Sequence, residues 1–127
     1  MVPPAALMPA IVLVDDEPDV RIVLRRLLMS ISDGYELVAV GSGAAVLPVL
    51  AERSVPLLIT DYNMPGMNGL ELAQKVKAAA PTTMVVMTSA FATPEIRKRA
   101  QAAGADYFIP KPFVFEQLEA IVREALF

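Results

Sequence analysis

The sequence predicts an α/β protein of five βα units, a doubly wound, five-stranded parallel sheet with helices on both faces, and three observations carry that prediction. Short apolar runs alternate with helical patterns about five times, at roughly 20 to 25 residues per unit. The runs Ile11-Val12-Leu13-Val14, Leu57-Leu58-Ile59-Thr60, Met84-Val85-Val86-Met87 and Tyr107-Phe108-Ile109 are continuous rather than alternating, as strands buried on both faces require. A chain of 127 residues with 55% hydrophobic residues suffices for one domain around a single core. Trp is absent and aromatics make up only 6%, so that core must rest on Val, Leu, Ile, Ala and Met, with the seven Met read as core filler.

Residues 1–9 read as a flexible N-terminal tail and residues 10–127 as the domain. After the first strand, a helix is expected to start at Asp16 or Glu17 with Pro18 in its first turn, placing Val20, Val23, Leu24, Leu27, Leu28 and Ile31 at helical spacing. Asp33-Gly34 closes that unit. Residues 35–40 read as the second strand and 44–53 as the second helix, in which Pro48 deletes a backbone bond and should kink or shorten it. Following the third strand, residues 70–80 read as the third helix, stopped by Pro81. The fourth helix has Thr93 as N-cap, Pro94 at its first position and Gly104 as C-cap. Residues 115–126 form the fifth. No internal linker, low-complexity segment or second domain is visible.

Composition narrows the chemistry. The net charge is −3 without a block of Lys or Arg, which argues against direct nucleic-acid binding by this segment. Absence of Cys removes disulfides, thiolate chemistry and Cys-ligated metals. Absence of His removes the commonest acid-base group and transition-metal ligand. Carboxylates, hydroxyls, lysine and a hard metal remain. The first 14 residues carry no charged side chain, yet they contain Pro3, Pro4 and Pro9 and no basic segment, so a secretory signal is not expected. The stretch is too short to span a bilayer, and a cytoplasmic location is expected.

Four polar sites follow the apolar runs: Asp15 with Asp16, Asp61, Thr88 and Lys111. In an open parallel sheet, ligands bind outside the carboxyl ends of the strands where the strand order reverses. Three carboxylates, a hydroxyl and an ammonium gathered there describe a site for a divalent cation and a transferable phosphoryl group. Each residue also has a plainer reading. An acidic triplet favours a helix N-terminus, Asp61 before Pro-Gly can initiate a turn, Thr88 can end a strand, and Lys111 can be a solvated lysine. Tyr62 and Phe108 are by default packing residues. Those readings are independent and do not explain why all four sites share one edge.

The strings Ile11-Val12-Leu13-Val14-Asp15-Asp16-Glu17-Pro18, Asp61-Tyr62-Asn63-Met64-Pro65-Gly66-Met67-Asn68-Gly69, Thr88-Ser89-Ala90 and Lys111-Pro112-Phe113 occur in this order. Together they make the chain resemble the receiver domain of two-component response regulators, of the chemotaxis-regulator kind, from Ile11 to about Leu126. The resemblance implies a flavodoxin-like (βα)5 fold with strand order 2-1-3-4-5. It implies that Asp61 accepts a phosphoryl group from a histidine kinase, a phosphotransfer protein or a small donor. By the same resemblance, Asp15, Asp16, Asp61 and the backbone carbonyl of Asn63 bind Mg2+, with Mn2+ able to substitute. Thr88 and Lys111 contact the phosphoryl oxygens, Thr88 and Phe108 act as the switch, and the Lys111-Pro112 bond is cis. The output face is that of the fourth helix, fifth strand and fifth helix, used by a partner, an effector domain or a second copy. The domain is thus expected to be a signalling phosphoacceptor that assists its own phosphorylation and dephosphorylation, not an enzyme acting on other substrates.

Physical chemistry fits those roles. Crowded carboxylates raise one another's pKa unless a cation compensates. Mg2+ suits an all-oxygen site and keeps several waters. Phosphoryl transfer asks the protein for positioning and charge neutralisation, and Asp61 would be a nucleophile of the aspartyl-phosphate kind. A Mg2+-dependent phosphatase of the aspartyl-nucleophile type would want a carboxylate two residues after the nucleophile, where Asn63 stands. A nucleotide- or flavin-binding domain would show a Gly-rich loop where Asp15-Asp16-Glu17-Pro18 stands. A non-phosphorylated receiver-like interaction module would not need the acidic pair, Asp61, Thr88 and Lys111 together. Two departures from the family pattern, Pro48 and Pro110, concern helix and loop geometry rather than the chemistry. The chain stops just after the fifth helix, as a stand-alone receiver or one cut from a longer regulator would.

Overall fold

The computed structural model describes residues 8–127. Five βα units follow one another: β1 (Ala10–Val14), α1 (Pro18–Met29), β2 (Glu36–Val40), α2 (Val46–Glu52), β3 (Leu57–Asp61), α3 (Gly69–Ala79), β4 (Met84–Ser89), α4 (Pro94–Ala102), β5 (Tyr107–Pro110) and α5 (Phe115–Leu126). The strands form one parallel sheet in the order β2-β1-β3-β4-β5. β1 and β3 are therefore neighbours, with Val14 opposite Thr60, and the strand order reverses between them.

The alternation of side chains along each strand divides the core in two. Val12, Val14, Leu58, Val85 and Met87 pack with Val46, Leu72, Val76 and Ala100 on the face covered by α2, α3 and α4. Ile11, Leu13, Leu57, Ile59, Val86 and Ile109 pack with Leu24, Leu28, Leu118 and Val122 beneath α1 and α5. The central strands β1 and β3 are buried throughout, which is why their sequences read as unbroken apolar runs.

Helix boundaries follow local chemistry. The Asn68 side chain accepts the Glu71 N–H at 2.9 Å at the start of α3, and Thr93 does the same for Ile96 at 3.2 Å at the start of α4. Gly104 has φ +106° just beyond the C-cap Ala103, one position later than expected. Pro48 shortens α2, which starts at Val46 instead of residue 44. Its ring would meet the carbonyl of Ala44 in a longer helix, whereas in the first turn its missing N–H has no intrahelical partner to lose. Pro110 ends β5, an edge strand, where a missing donor is tolerated. The Lys111–Pro112 bond is cis.

Some expectations fail on α1. Val23 is 51% exposed and lies outside the packed face, as does Met29 at 64%. Val23, which fits the helical period, thus sits on the flank of a face whose buried anchors are Leu24 and Leu28. Among the described Met residues, Met64 and Met87 are buried in the core and Met67 and Met84 pack against it partly buried, whereas Met29 is exposed. Residues 1–7 of the expected tail lie outside the described residues. Met8 and Pro9 are held to the domain, since their carbonyls accept from Arg53 and from the Glu36 N–H.

Candidate functional site

Three carboxylates meet at the carboxyl ends of β1 and β3. Asp15, Asp16 and Asp61 can each bring an oxygen within 4.8 Å of the others. Asp15 and Asp61 are buried, while Asp16 is exposed and opens the cluster to water. Asp61 is the last residue of β3 and Thr88 lies opposite it inside β4, so these two sites belong to the strands rather than following them. Asp15 directly follows β1, and Lys111 directly follows β5.

Lys111 ties the pair together, its Nζ lying 2.8 Å from Asp15 Oδ2 and 3.3 Å from Asp61 Oδ2. Asp15 Oδ1 accepts the Glu17 N–H at 2.9 Å. Burial pushes the Asp61 carboxyl above its ordinary pKa; Lys111 opposes the shift, Asp15 adds to it, and the Asn63 N–H opposes it again. Burial works against the Lys111 charge, but the bond to Asp15 and the charges of Asp61 and Asp15 outweigh it and hold the ammonium above its usual value.

The Thr88 hydroxyl donates to the Thr60 carbonyl at 3.4 Å, a long bond that leaves it replaceable. Asn63 and Asp16 line one open groove of about 450 Å³ together with Met64, Pro65 and Gly66. Phe108 lies farther off, opposite Met87, half-buried against the core, with the Arg97 guanidinium 4.9 Å above its ring. The structure thus gathers the acidic residues and Lys111 directly, with Thr88 one strand away and Phe108 on the neighbouring strand.

Two further residues, Gly69 and Arg21, shape the site without a sequence pattern that marks them. Gly69 opens α3 against the end of β3, where a Cβ would lie 2.3 Å from the Asp61 carbonyl oxygen. Arg21 Nη1 donates to the Asp15 carbonyl at 2.6 Å. Asp15-Asp16-Glu17 did carry a signal for the turn that Glu17 closes, because an Asp commonly accepts the N–H two residues on.

A raised Asp61 pKa has a consequence for stability. The native state holds that proton more tightly than the unfolded chain, so Asp61 subtracts stability as pH rises from the ordinary 3.8 through its higher native value. Asp61→Asn is therefore expected to raise the melting temperature of the metal-free protein at pH 7. The gain should shrink as pH falls toward 3.8. Calorimetry across that range checks it, and a melting temperature lowered at pH 7 would contradict the sign.

The protein is thus a doubly wound α/β domain with a lysine-bridged acidic cleft at its topological switch point. The chain belongs to the response regulator receiver domain family, matching it over residues 11–123. It is 34% identical over 113 residues to the DNA-binding transcriptional regulator NtrC of Escherichia coli (strain K12), covering 89% of this chain and 24% of that protein. It is 35% identical over 115 residues to the response regulator RppA of Synechocystis, covering 89% of this chain and 48% of that protein. The chain thus spans a quarter to a half of the length of these relatives. Among solved structures, the chemotaxis response regulator CheY4 of Vibrio cholerae superposes with a TM-score of 0.81 at 27% identity, covering 94% of this chain and 99% of that one.

Proposed function

We propose that this receiver domain is a Mg2+-dependent phosphoacceptor, in which Asp61 takes a phosphoryl group from a histidine kinase, a phosphotransfer protein or a small donor. The observation that carries the reading is the bridge from one lysine to two buried carboxylates beside a third, exposed one. Asp61 Oδ attacks phosphorus, the bond to the donor breaks, and the pair of electrons leaves with the donor. Lys111 supplies positive charge to the phosphoryl oxygens, and Thr88 gives up its long bond to Thr60 to donate to them.

The residues fit a hard divalent cation. Every donor is an oxygen, and Asp16 keeps the cluster open to the waters that Mg2+ retains. Asp15, Asp16, Asp61 and the Asn63 carbonyl would hold it, and Mn2+ could take its place. Bound there, the cation neutralises charge between an anionic nucleophile and an anionic donor. Wild-type protein is expected to take up phosphate from acetyl phosphate with Mg2+ present and not with chelator, and Asp61→Asn to take up none. Equal uptake by both proteins, read by mass spectrometry, would sink the assignment.

Output is assigned to the face of α4, β5 and α5, where a partner, an effector domain or a second copy would read it. A hydroxyl drawn from Thr60 toward the phosphoryl group gains a charge-assisted bond only in the modified state, which is the differential interaction a switch requires. Phe108, lacking a hydroxyl to keep wet, would move further inward as Thr88 leaves. Amide shifts along residues 96–104 and at Phe108 are expected to change when beryllofluoride, a phosphoryl mimic, is added. Shifts confined to the surroundings of Asp61 would move the output to another surface.

A further inference from the structure

Asp15 is held at four points, and only one of the groups holding it has a part in the proposed chemistry. Its N–H donates to the Val40 carbonyl at 3.2 Å, Oδ1 accepts from the Glu17 N–H, and Oδ2 accepts from Lys111. The fourth point is its carbonyl oxygen, which Arg21 Nη1 reaches from α1 at 2.6 Å. The same guanidinium lies beside Gly41, in the loop that follows β2. A Cβ built on Gly41 would meet Nη1 at 3.2 Å and Cζ at 3.7 Å.

That carbonyl belongs to the peptide plane joining Asp15 to Asp16. Because the plane is rigid, fixing the direction of its oxygen fixes ψ of Asp15 and with it the position of the Asp16 nitrogen and Cα, from which the Asp16 carboxylate hangs. Asp16 is exposed, unlike Asp15 and Asp61, so its direction is set by the backbone rather than by surrounding packing. We propose that Arg21 is a positioning residue of the phosphoacceptor site, aiming Asp15 and Asp16 at the divalent cation through the carbonyl between them. The proposal rests on the cation reading given above.

Charge and position predict opposite signs, which makes the test decisive. A cation that acted only through its field would repel Mg2+, so its removal would tighten binding. A positioning group would weaken binding when lost. Mg2+ alone is titrated into wild type, Arg21→Met, Arg21→Lys and Gly41→Ala, and the amide shifts of residues 15, 16 and 61 are followed by NMR. Arg21→Met is expected to raise the dissociation constant about tenfold, with Arg21→Lys recovering most of the loss. Gly41→Ala keeps the charge and presses the flexible guanidinium away from the carbonyl, so it should weaken binding in the same direction even if Arg21→Met fails to fold. Unchanged or tighter binding in Gly41→Ala, or in a folded Arg21→Met, overturns the role of Arg21 alone. A wild type whose shifts do not respond to Mg2+ overturns the cation reading, and the role of Arg21 falls with it.

Discussion

Gly69→Ala is expected to abolish phosphate uptake while lowering stability by about 3 kcal/mol, near the upper end of what overpacking against fixed atoms produces. A methyl group at this position would lie 2.3 Å from the Asp61 carbonyl oxygen and 3.0 Å from the Tyr62 Cα. Both are backbone atoms, so no rotamer change relieves the contact. The Asp61 carbonyl also accepts from the Thr60 hydroxyl, and the Gly69 N–H donates to the Tyr62 carbonyl at 3.0 Å. The start of α3 and the end of β3 would have to separate, displacing the nucleophile with them. Urea unfolding and phosphate uptake measured on the same preparation check both parts. A variant that unfolds at the wild-type urea concentration and is phosphorylated at the wild-type rate would contradict the close approach.

Lys111→Met should be nearly as severe for a different reason. Removing one partner of a buried ion pair leaves its counter-charges unpaired, at a cost of about 3 kcal/mol. Lys111 is 15% exposed at its side chain, Asp15 2% and Asp61 8%, so water offers little compensation. The deficit has a pH signature. Because the Lys111 pKa is raised, its stabilisation is fully present below the unfolded value of 10.5 and fades as pH rises through the higher native value. Wild type and variant should therefore converge in strong alkali. Mg2+ should also narrow the gap at neutral pH, since a divalent cation replaces the lost charge between the same carboxylates. A deficit unaffected by either treatment would mean that Lys111 contributes packing rather than charge.

The strands were legible because burial on both faces leaves runs such as Ile11 to Val14 with no polar interruption. The ends of α4 were equally plain, since Thr93, Pro94 and Gly104 act within a few residues of themselves. Convergence of Asp15, Asp61 and Lys111 could be inferred because parallel strands carry their carboxyl ends to one edge. What escaped depends on partners distant in sequence or without a side-chain signature. Arg21 binds a main-chain carbonyl, which no residue pattern marks. Gly69 is required by the passage of a neighbouring backbone, not by a turn of its own. Val23 fits the helical period of α1 yet is half exposed, on the flank of the face that Leu24 and Leu28 bury.

The most direct measurement is to locate the phosphate itself. After reaction with acetyl phosphate and Mg2+, the acyl phosphate would be trapped by borohydride reduction, which converts a phosphorylated aspartate to homoserine, and the peptides sequenced by mass spectrometry. Homoserine is expected at position 61, lost when chelator replaces Mg2+, with unmodified aspartate at positions 15 and 16. Homoserine at Asp15 or Asp16, or none at any position under conditions that phosphorylate a related receiver domain, would contradict that expectation.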